Sequence, residues 1–239
     1  RYKYINIMNL KDYIRSIPDY PKKGILFRDI TTLIKDADAF EECINQIVKR
    51  SSKYKIDKIA AIESRGFVFA SAVSYLLKKP FILLRKKNKL PAKTHSIDFE
   101  LEYGKATIEV HIDSIDKNDS ILIIDDLIAT GGTAEAAAKL VEISGGKIAA
   151  FVFVINLFDV IARSHDLRNQ SRSSSSPCRK LLKHGTRVVF ITLEAVIEGA
   201  HWWWTVVWFK NLLDASPRAI FLGIDGIPHP NLGAGFGEA

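Results

Sequence analysis

The chain has 239 residues, of which 47% are hydrophobic and 26% charged, and its formal net charge is +7. This balance excludes an intrinsically disordered protein and a chain built mainly of membrane spans, and it is typical of one globular domain with or without an appendage. The basic excess favours anionic ligands such as phosphates or nucleic acid, although scattered surface lysines produce the same value.

The two cysteines, Cys43 and Cys178, lie far apart and neither belongs to a CxxC or Cys/His spacing. A disulfide framework and a structural zinc site are therefore not expected, and a reducing compartment such as the cytoplasm is favoured. No signal peptide is visible. The apolar stretch 188–209 contains two glutamates and a histidine, which makes it a poor membrane span.

Strand and helix patterns alternate along the first two thirds of the chain. A short amphipathic helix is predicted at 10–17, before Pro18, and an exposed apolar element at 25–29. Asp36 or Asp38 is expected to cap a helix that ends near Arg50. The remaining predicted elements are strand 58–62, helix 67–77, strand 81–84, a hairpin of 99–103 with 106–111, strand 121–124, helix 134–143 and strand 149–155. Alternation of this kind indicates a parallel α/β sheet covered on both faces, which binds ligands at the carboxyl ends of its strands.

Two of these strand ends carry residues suited to chemistry, 63–66 and 125–133. Asp125 and Asp126 repel each other unless hydroxyls or a cation satisfy them, and the vicinal hydroxyls of a ribose are suitable partners. The loop 129–133, Ala-Thr-Gly-Gly-Thr, offers inward amides and hydroxyls directly before a predicted helix. Amides, hydroxyls and the helix dipole together favour a phosphate monoester, although a Gly-Gly turn with a threonine cap would give the same letters. Walker A and GxGxxG patterns are absent from the sequence, which argues against an ATPase or a Rossmann dehydrogenase.

The segment Ile121–Val141 resembles the motif with which type I phosphoribosyltransferases bind PRPP, 5-phosphoribosyl 1-pyrophosphate. Four more segments, in the same order, resemble the adenine phosphoribosyltransferases: Asp19–Ile30, Ile62–Phe67, Arg85–Pro91 and Leu101–Gly104. The resemblance implies a parallel sheet flanked by helices with a flexible β-hairpin flap. It also implies a purine salvage enzyme that transfers phosphoribose from PRPP to adenine and gives AMP and pyrophosphate.

The resemblance assigns a role to each matching position. The 5-phosphate would be bound by Ala129, Thr130, Gly131, Gly132 and Thr133. The ribose hydroxyls would contact Asp125 and Asp126. The pyrophosphate loop would consist of Glu63, Ser64, Arg65 and Gly66, and the forked guanidinium of Arg65 suits phosphate oxygens independently. The adenine pocket would be formed by Leu26, Phe27 and Arg28, with Phe27 stacked on the base.

The basic segment Arg85–His95 would lead into the flap, which closes over the site and excludes water. Pyrophosphate contacts are expected from Arg85, Lys86 and Lys89. These residues would reach the pyrophosphate either of their own chain or, across a dimer interface, of the partner chain. Glu102 and Tyr103 would lie on the flap, with Glu102 as a proton relay near the base. The expected catalytic residues are therefore Glu102, Arg65 and Asp126.

The resemblance also implies Mg²⁺, held mainly by PRPP, pyrophosphate and water, since no cluster of protein ligands that could hold it alone is visible. A homodimer is expected. Nucleic acid is not an expected partner, because aromatic residues do not interleave with the basic loop. Two alternatives remain open. One is a hypoxanthine–guanine or xanthine phosphoribosyltransferase, and the other is a PRPP-sensing regulator without catalysis, although no helix-turn-helix is visible.

Three regions are predicted: an N-terminal extension at 1–9, a phosphoribosyltransferase domain at 10–159 and an atypical tail at 160–239. The tail contains the serine-rich segment 172–177 and four tryptophans between 202 and 208. It is either an insertion followed by the last strand of the family near 188–193, or sequence unrelated to the family. The second interpretation is favoured, and such a tail would pack poorly.

Overall fold

The computed structural model describes residues 8–101, 104–157 and 187–192. The chain begins there with a short 3₁₀ helix at Leu10–Tyr13, followed by strand β1 at Arg15–Ile17, which pairs antiparallel with β2 at Phe27–Asp29. The helix predicted at 10–17 is therefore wrong beyond its first turn. Pro18 disfavours the helical conformation of the residue before it, and pairing with β2 supplies an alternative set of backbone hydrogen bonds.

The remaining described elements form an α/β arrangement. The helices are α1 (Thr31–Lys35), α2 (Ala37–Ser51), α3 (Gly66–Leu77) and α4 (Gly132–Ile143). The other strands are β3 (Lys58–Ile62), β4 (Phe81–Lys86), β5 (Thr94–Leu101), β6 (Gly104–His111), β7 (Ser120–Ile128), β8 (Lys147–Asn156) and β9 (Val188–Thr192).

These seven strands form one sheet in the order β5-β6-β4-β3-β7-β8-β9. Strands β4, β3, β7, β8 and β9 are parallel, and the β5–β6 hairpin joins β4 in antiparallel orientation. The predicted fold, a parallel sheet flanked by helices and extended by a hairpin, is confirmed. Strand β7 continues past residue 124, where the predicted strand ended, to Ile128. Asp125 and Asp126 were predicted to follow the strand, but they lie within its last part.

Both faces of the sheet are buried, as the long apolar strand patterns require. Strand β7 alternates: Leu122 and Ile124 pack in the core beneath α2 and α3, whereas Ile121 and Ile123 pack in the core that contains α4. All four side chains are fully buried, and each contributes about 1.5–3 kcal/mol by leaving water. In the described part of the chain, no helix is both long and apolar enough to cross a membrane.

The last strand, β9, comes from beyond residue 159, where the predicted domain ended. It pairs with β8, and the Phe190 ring stacks on Phe153 with 6.2 Å between ring centroids. The Arg50 guanidinium of α2 also donates to the Phe190 carbonyl oxygen. Part of the predicted tail therefore completes the sheet. The predictions for 1–7, the serine-rich segment and the tryptophan cluster lie outside the described residues.

Candidate active site

The two segments singled out in the sequence meet at the carboxyl end of the sheet. Strand β3 ends at Ile62, while its neighbour β7 continues, so the loop 63–66 lies against the last part of β7. A Cβ atom on Gly66 would stand 2.8 Å from the Ile124 carbonyl oxygen and 2.9 Å from Asp125 Oδ1. Only glycine permits this approach. The loop turns at a cis peptide bond between Glu63 and Ser64.

The adjacent carboxylates of Asp125 and Asp126 are held at this junction. Asp126 is 4% exposed, and its backbone N–H donates to Asp125 Oδ1 at 2.9 Å. Burial raises the pKa of both carboxyls, and the charge of Asp126 raises the pKa of Asp125 further. Such a pair is stabilised as two anions only by donors or cations that come close to it.

Arg65 supplies one cation. Its Nε atom lies 3.0 Å from Asp126 Oδ2, and this charge opposes the rise in the Asp126 pKa. The N–H is not aligned for a hydrogen bond, so the buried Oδ2 atom has none within the described residues. A buried carboxylate oxygen without a hydrogen bond can accept one from a hydroxyl group or from a metal-bound water.

The predicted base-binding segment adjoins the same arginine. The Arg65 guanidinium carbon lies 5.7 Å from the centroid of the Phe27 ring, within the range of a cation–π contact. Tyr20 packs edge-on against Phe27 with 5.2 Å between centroids. Tyr20 belongs to the segment 19–30 that resembles the family, but the sequence predicts no role for it, because ring contacts between loop residues leave no periodic signal. Leu26 immediately precedes β2, and the Arg28 side chain donates to Ser16 Oγ of β1.

Two residues predicted to contact PRPP, Glu63 and Arg85, form an ion pair with each other. The Glu63 carboxylate accepts from Arg85 Nη2 at 3.1 Å and Nε at 3.3 Å, and also from the Lys86 backbone N–H at 2.9 Å. The hydrogen bond from Arg85 is the main reason that the pKa of Glu63 is lowered. This pairing joins the end of β3 to the end of β4, whereas the side chains of Lys86 and Lys89 are exposed to solvent.

The predicted phosphate loop ends at the N-terminus of α4. Gly131 has φ +78, a left-handed conformation that favours glycine, and Gly132 and Thr133 are the first two helical residues. The backbone N–H of Glu135 donates to the Gly131 carbonyl oxygen at 2.9 Å. The amides before Glu135 have no intrahelical acceptor, and Gly131 at the N-cap has no side chain to cap them. The open helix end is suited to an anion.

The flap corresponds to the β5–β6 hairpin. Its strands are paired from Thr94↔His111 to Leu101↔Gly104, and Ile97 and Phe99 pack against the core that contains α4. Glu102 and Tyr103, predicted to lie on the flap, are outside the described residues. In the described part of the chain, no group of three or more His, Cys, Asp or Glu side chains could hold a metal ion.

Comparison with known proteins agrees with this architecture. The family described as Phosphoribosyl transferase domain matches residues 31–176. An adenine phosphoribosyltransferase of Pelagibacter ubique is 89% identical over 153 residues, which cover 64% of this chain and 87% of the relative.

Two solved structures carry the same fold. The adenine phosphoribosyltransferase of Thermoanaerobacter pseudethanolicus superimposes with a TM-score of 0.67 at 40% identity, covering 76% of this chain and 96% of that one. The Saccharomyces cerevisiae enzyme, solved with an imino-altritol bisphosphate and adenine, superimposes with a TM-score of 0.60 at 33% identity, covering 65% and 90%. The predicted family and enzyme class are confirmed, and the chain belongs to the adenine phosphoribosyltransferases.

Proposed function

We propose that this chain transfers the 5-phosphoribosyl group of PRPP to adenine, giving AMP and pyrophosphate, with the junction of β2, β3 and β7 as its active site. The observation that carries the proposal is the continuous contact from Phe27 through Arg65 to Asp126. These residues represent the predicted sites for base, pyrophosphate and ribose. Their contact gives one site in which the two reactants would be adjacent, and holding reactants adjacent is a large part of catalysis.

In this proposal a purine ring nitrogen attacks the anomeric carbon as pyrophosphate leaves with the bonding electron pair. Negative charge grows on the leaving group, so preorganised donors and cations beside it lower the barrier. Arg65 is suited to this role because its guanidinium is already held between Phe27 and Asp126. The 5-phosphate would occupy the amides and hydroxyls of 129–133.

The base would bind beside Phe27, with Leu26 and the backbone around Arg28 completing the pocket. The T-shaped contact with Tyr20 restricts the orientation of the Phe27 ring, which would stack on the base. Glu102 is proposed as the proton relay on the closed flap.

Mg²⁺ fits the acidic pair. The buried Asp126 Oδ2 atom has no hydrogen bond among the described residues, and oxygen is the ligand type that Mg²⁺ prefers. Asp125 and Asp126 would hold the hydrated ion or the ribose hydroxyls near it, and pyrophosphate oxygens would complete its shell. When bound, the ion would neutralise part of the negative charge of the pyrophosphate.

A homodimer is proposed on the exposed apolar surface of α3 and β4. Tyr75 is 82% exposed and Leu76 51%, and Val68 lies on the same helix. Leu83 of β4 is exposed on the sheet face that α3 covers, since it alternates with Ile82 and Leu84 of the opposite core. A surface of this kind is unusual on a monomer. Light scattering of the wild type should give twice the mass of one chain, and Leu76→Glu should reduce the measured mass to that of one chain. A monomeric wild type would refute the dimer.

The cytoplasm is proposed as the location, because Cys43 is a buried free thiol and such thiols persist in a reducing compartment. Cell fractionation that recovers the protein from an oxidising compartment would contradict this.

The reaction is tested with purified chain, PRPP and Mg²⁺, by following nucleotide formation from adenine, hypoxanthine and guanine separately. AMP from adenine should form fastest, and equal or faster turnover of another base would overturn the assignment of adenine as the substrate. Phe27→Leu should raise KM for adenine with little change in KM for PRPP. Phe40→Leu is the matched control, because Phe40 packs on Phe69 in the core.

A further inference from the structure

Glu109 is a buried carboxylate with no role in the site described above. In the described part of the chain Glu109 is 7% exposed, and it is separate from the other buried carboxylates, which are Asp29, paired with Arg15, and Asp125 and Asp126 of the site. A buried carboxylate is costly unless donors or cations satisfy it, so its surroundings show what it holds in place.

Glu109 lies where the flap joins the main sheet. In strand β6 it stands opposite Arg85 of β4 on one side and opposite Ser96 of β5 on the other. Residues directly opposite each other project from the same face of a sheet, so the carboxylate and the guanidinium emerge on one side. Arg85 is directed to Glu63, and Glu109 is directed to the loop that follows β4.

That loop is a turn in which the backbone N–H groups of residues 86–89 all donate hydrogen bonds. Glu109 Oε2 accepts from the Asn88 backbone N–H at 3.1 Å, and Asn88 has φ +63. The Lys87 N–H donates to the Thr107 carbonyl oxygen of β6 at 3.3 Å, and the Lys89 N–H donates to the Lys86 carbonyl oxygen at 3.2 Å. Arg85 Nη1 closes the turn by donating to the Lys89 carbonyl oxygen at 3.0 Å.

Two carboxylates therefore anchor the basic turn 85–89, each through a backbone amide of the turn. Glu63 belongs to the pyrophosphate loop and Glu109 to the root of the flap. We propose that Glu109 is a positioning residue for pyrophosphate binding, which holds the turn through the Asn88 amide and thereby fixes the cations of the turn relative to the flap. This inference rests on the proposed function, since it assumes that Lys86 and Lys89 meet the pyrophosphate of PRPP.

The physical reason is preorganisation. Lysine side chains lose rotamer entropy when they bind, and a loosely held backbone would add its own ordering cost to each binding event. Because Glu109 keeps the backbone of the turn in place before binding, its loss should weaken ligands that carry pyrophosphate and leave adenine alone unaffected.

The experiment compares Glu109→Ala, Glu109→Gln and the matched control Asp113→Asn, which removes one charge from an exposed position just after β6. Inorganic pyrophosphate with Mg²⁺ is titrated calorimetrically into each protein, and KM is measured for PRPP and for adenine. Glu109→Ala should weaken pyrophosphate binding and raise KM for PRPP by about tenfold, the factor expected for loss of one hydrogen bond at a buried charge, with KM for adenine within about twofold. Glu109→Gln keeps an acceptor for Asn88 and should lose about two- to threefold. Asp113→Asn should match the wild type.

Unchanged pyrophosphate binding in Glu109→Ala would overturn the proposal, and so would an equal rise in both KM values, which indicates general damage. If thermal unfolding shows that the alanine variant is not folded, Glu109→Gln decides, and unchanged pyrophosphate affinity then overturns the proposal. A wild-type protein that binds pyrophosphate but forms no AMP would refute the proposed function and leave the test of Glu109 readable.

Discussion

Replacing Gly66 with alanine tests whether the close approach of the pyrophosphate loop to β7 organises the site. The added Cβ would stand 2.8 Å from the Ile124 carbonyl oxygen and 3.2 Å from Asp125 Cα, whereas ordinary contacts begin at 3.4 Å. Both atoms belong to the backbone of a strand in the middle of the sheet and cannot give way cheaply. The loop must therefore retreat by about 0.6 Å, and Arg65 retreats with it.

The cost follows from overpacking. Added methyl groups in a packed site destabilise by about 1–3 kcal/mol, and for a chain of this size each kcal/mol lowers Tm by roughly 2–4 °C. A displacement of this size at a charge-stabilising arginine should lower kcat/KM for PRPP by on the order of 10- to 100-fold. The assays are thermal unfolding by circular dichroism and initial rates at varied PRPP.

Gly146→Ala is the matched control. Its Cβ would stand 2.8 Å from Ile115 Cγ2 and 3.0 Å from Val141 Cγ1, which are side-chain atoms. Gly146 directly precedes β8, whereas the candidate site lies at the carboxyl end of the sheet. The control variant should lose stability and keep its KM for PRPP. If Gly66→Ala folds and keeps wild-type kcat and KM for PRPP, the close approach has no part in catalysis and the reasoning fails.

Three further predictions concern charge and the last strand. The Arg15 hydrogen bond lowers the pKa of Asp29 from 3.8 to about 2, so its contribution to stability is present above pH 3.8 and is lost as pH falls through 2; Asp29→Asn should lower Tm at neutral pH and converge with wild type near pH 2, and a pH-independent difference would contradict this. Burial and the Asp126 charge raise the pKa of Asp125, so kcat/KM for PRPP should fall on the acid side at a pH above 3.8. In Asp126→Asn this fall should move to lower pH, because one of the two causes is removed. An unchanged pH profile of the variant's residual activity would show that Asp125 does not control it. Arg50→Met removes the bond from α2 to β9 and should cost about 1–3 kcal/mol in urea unfolding with KM for PRPP unchanged; unaltered stability would show that β9 does not depend on it.

Elements with strong local patterns agree with the structure. Strand β3 has the predicted bounds, α3 begins one residue early at Gly66, and the Asp36 side chain caps α2 by accepting from the Ala39 N–H at 2.9 Å. The helix predicted at 10–17 failed, because Arg15–Ile17 is stabilised by a partner strand ten or more residues away and not by its own periodicity.

The local features of segment 121–141 could be predicted from the sequence: an apolar strand, two adjacent carboxylates, a glycine-rich turn and a helix follow one another, because each depends on residues within a few positions. Which distant residues lie beside this segment depends on the tertiary structure. It brings Arg65 to Phe27 and Asp126, pairs Glu63 with Arg85, and joins Arg50 to Phe190 across 140 positions of the chain. Periodicity reports which face of an element is buried, but contacts between loop residues depend on how the sheet orders its strands, and that order minimises the free energy of the whole chain.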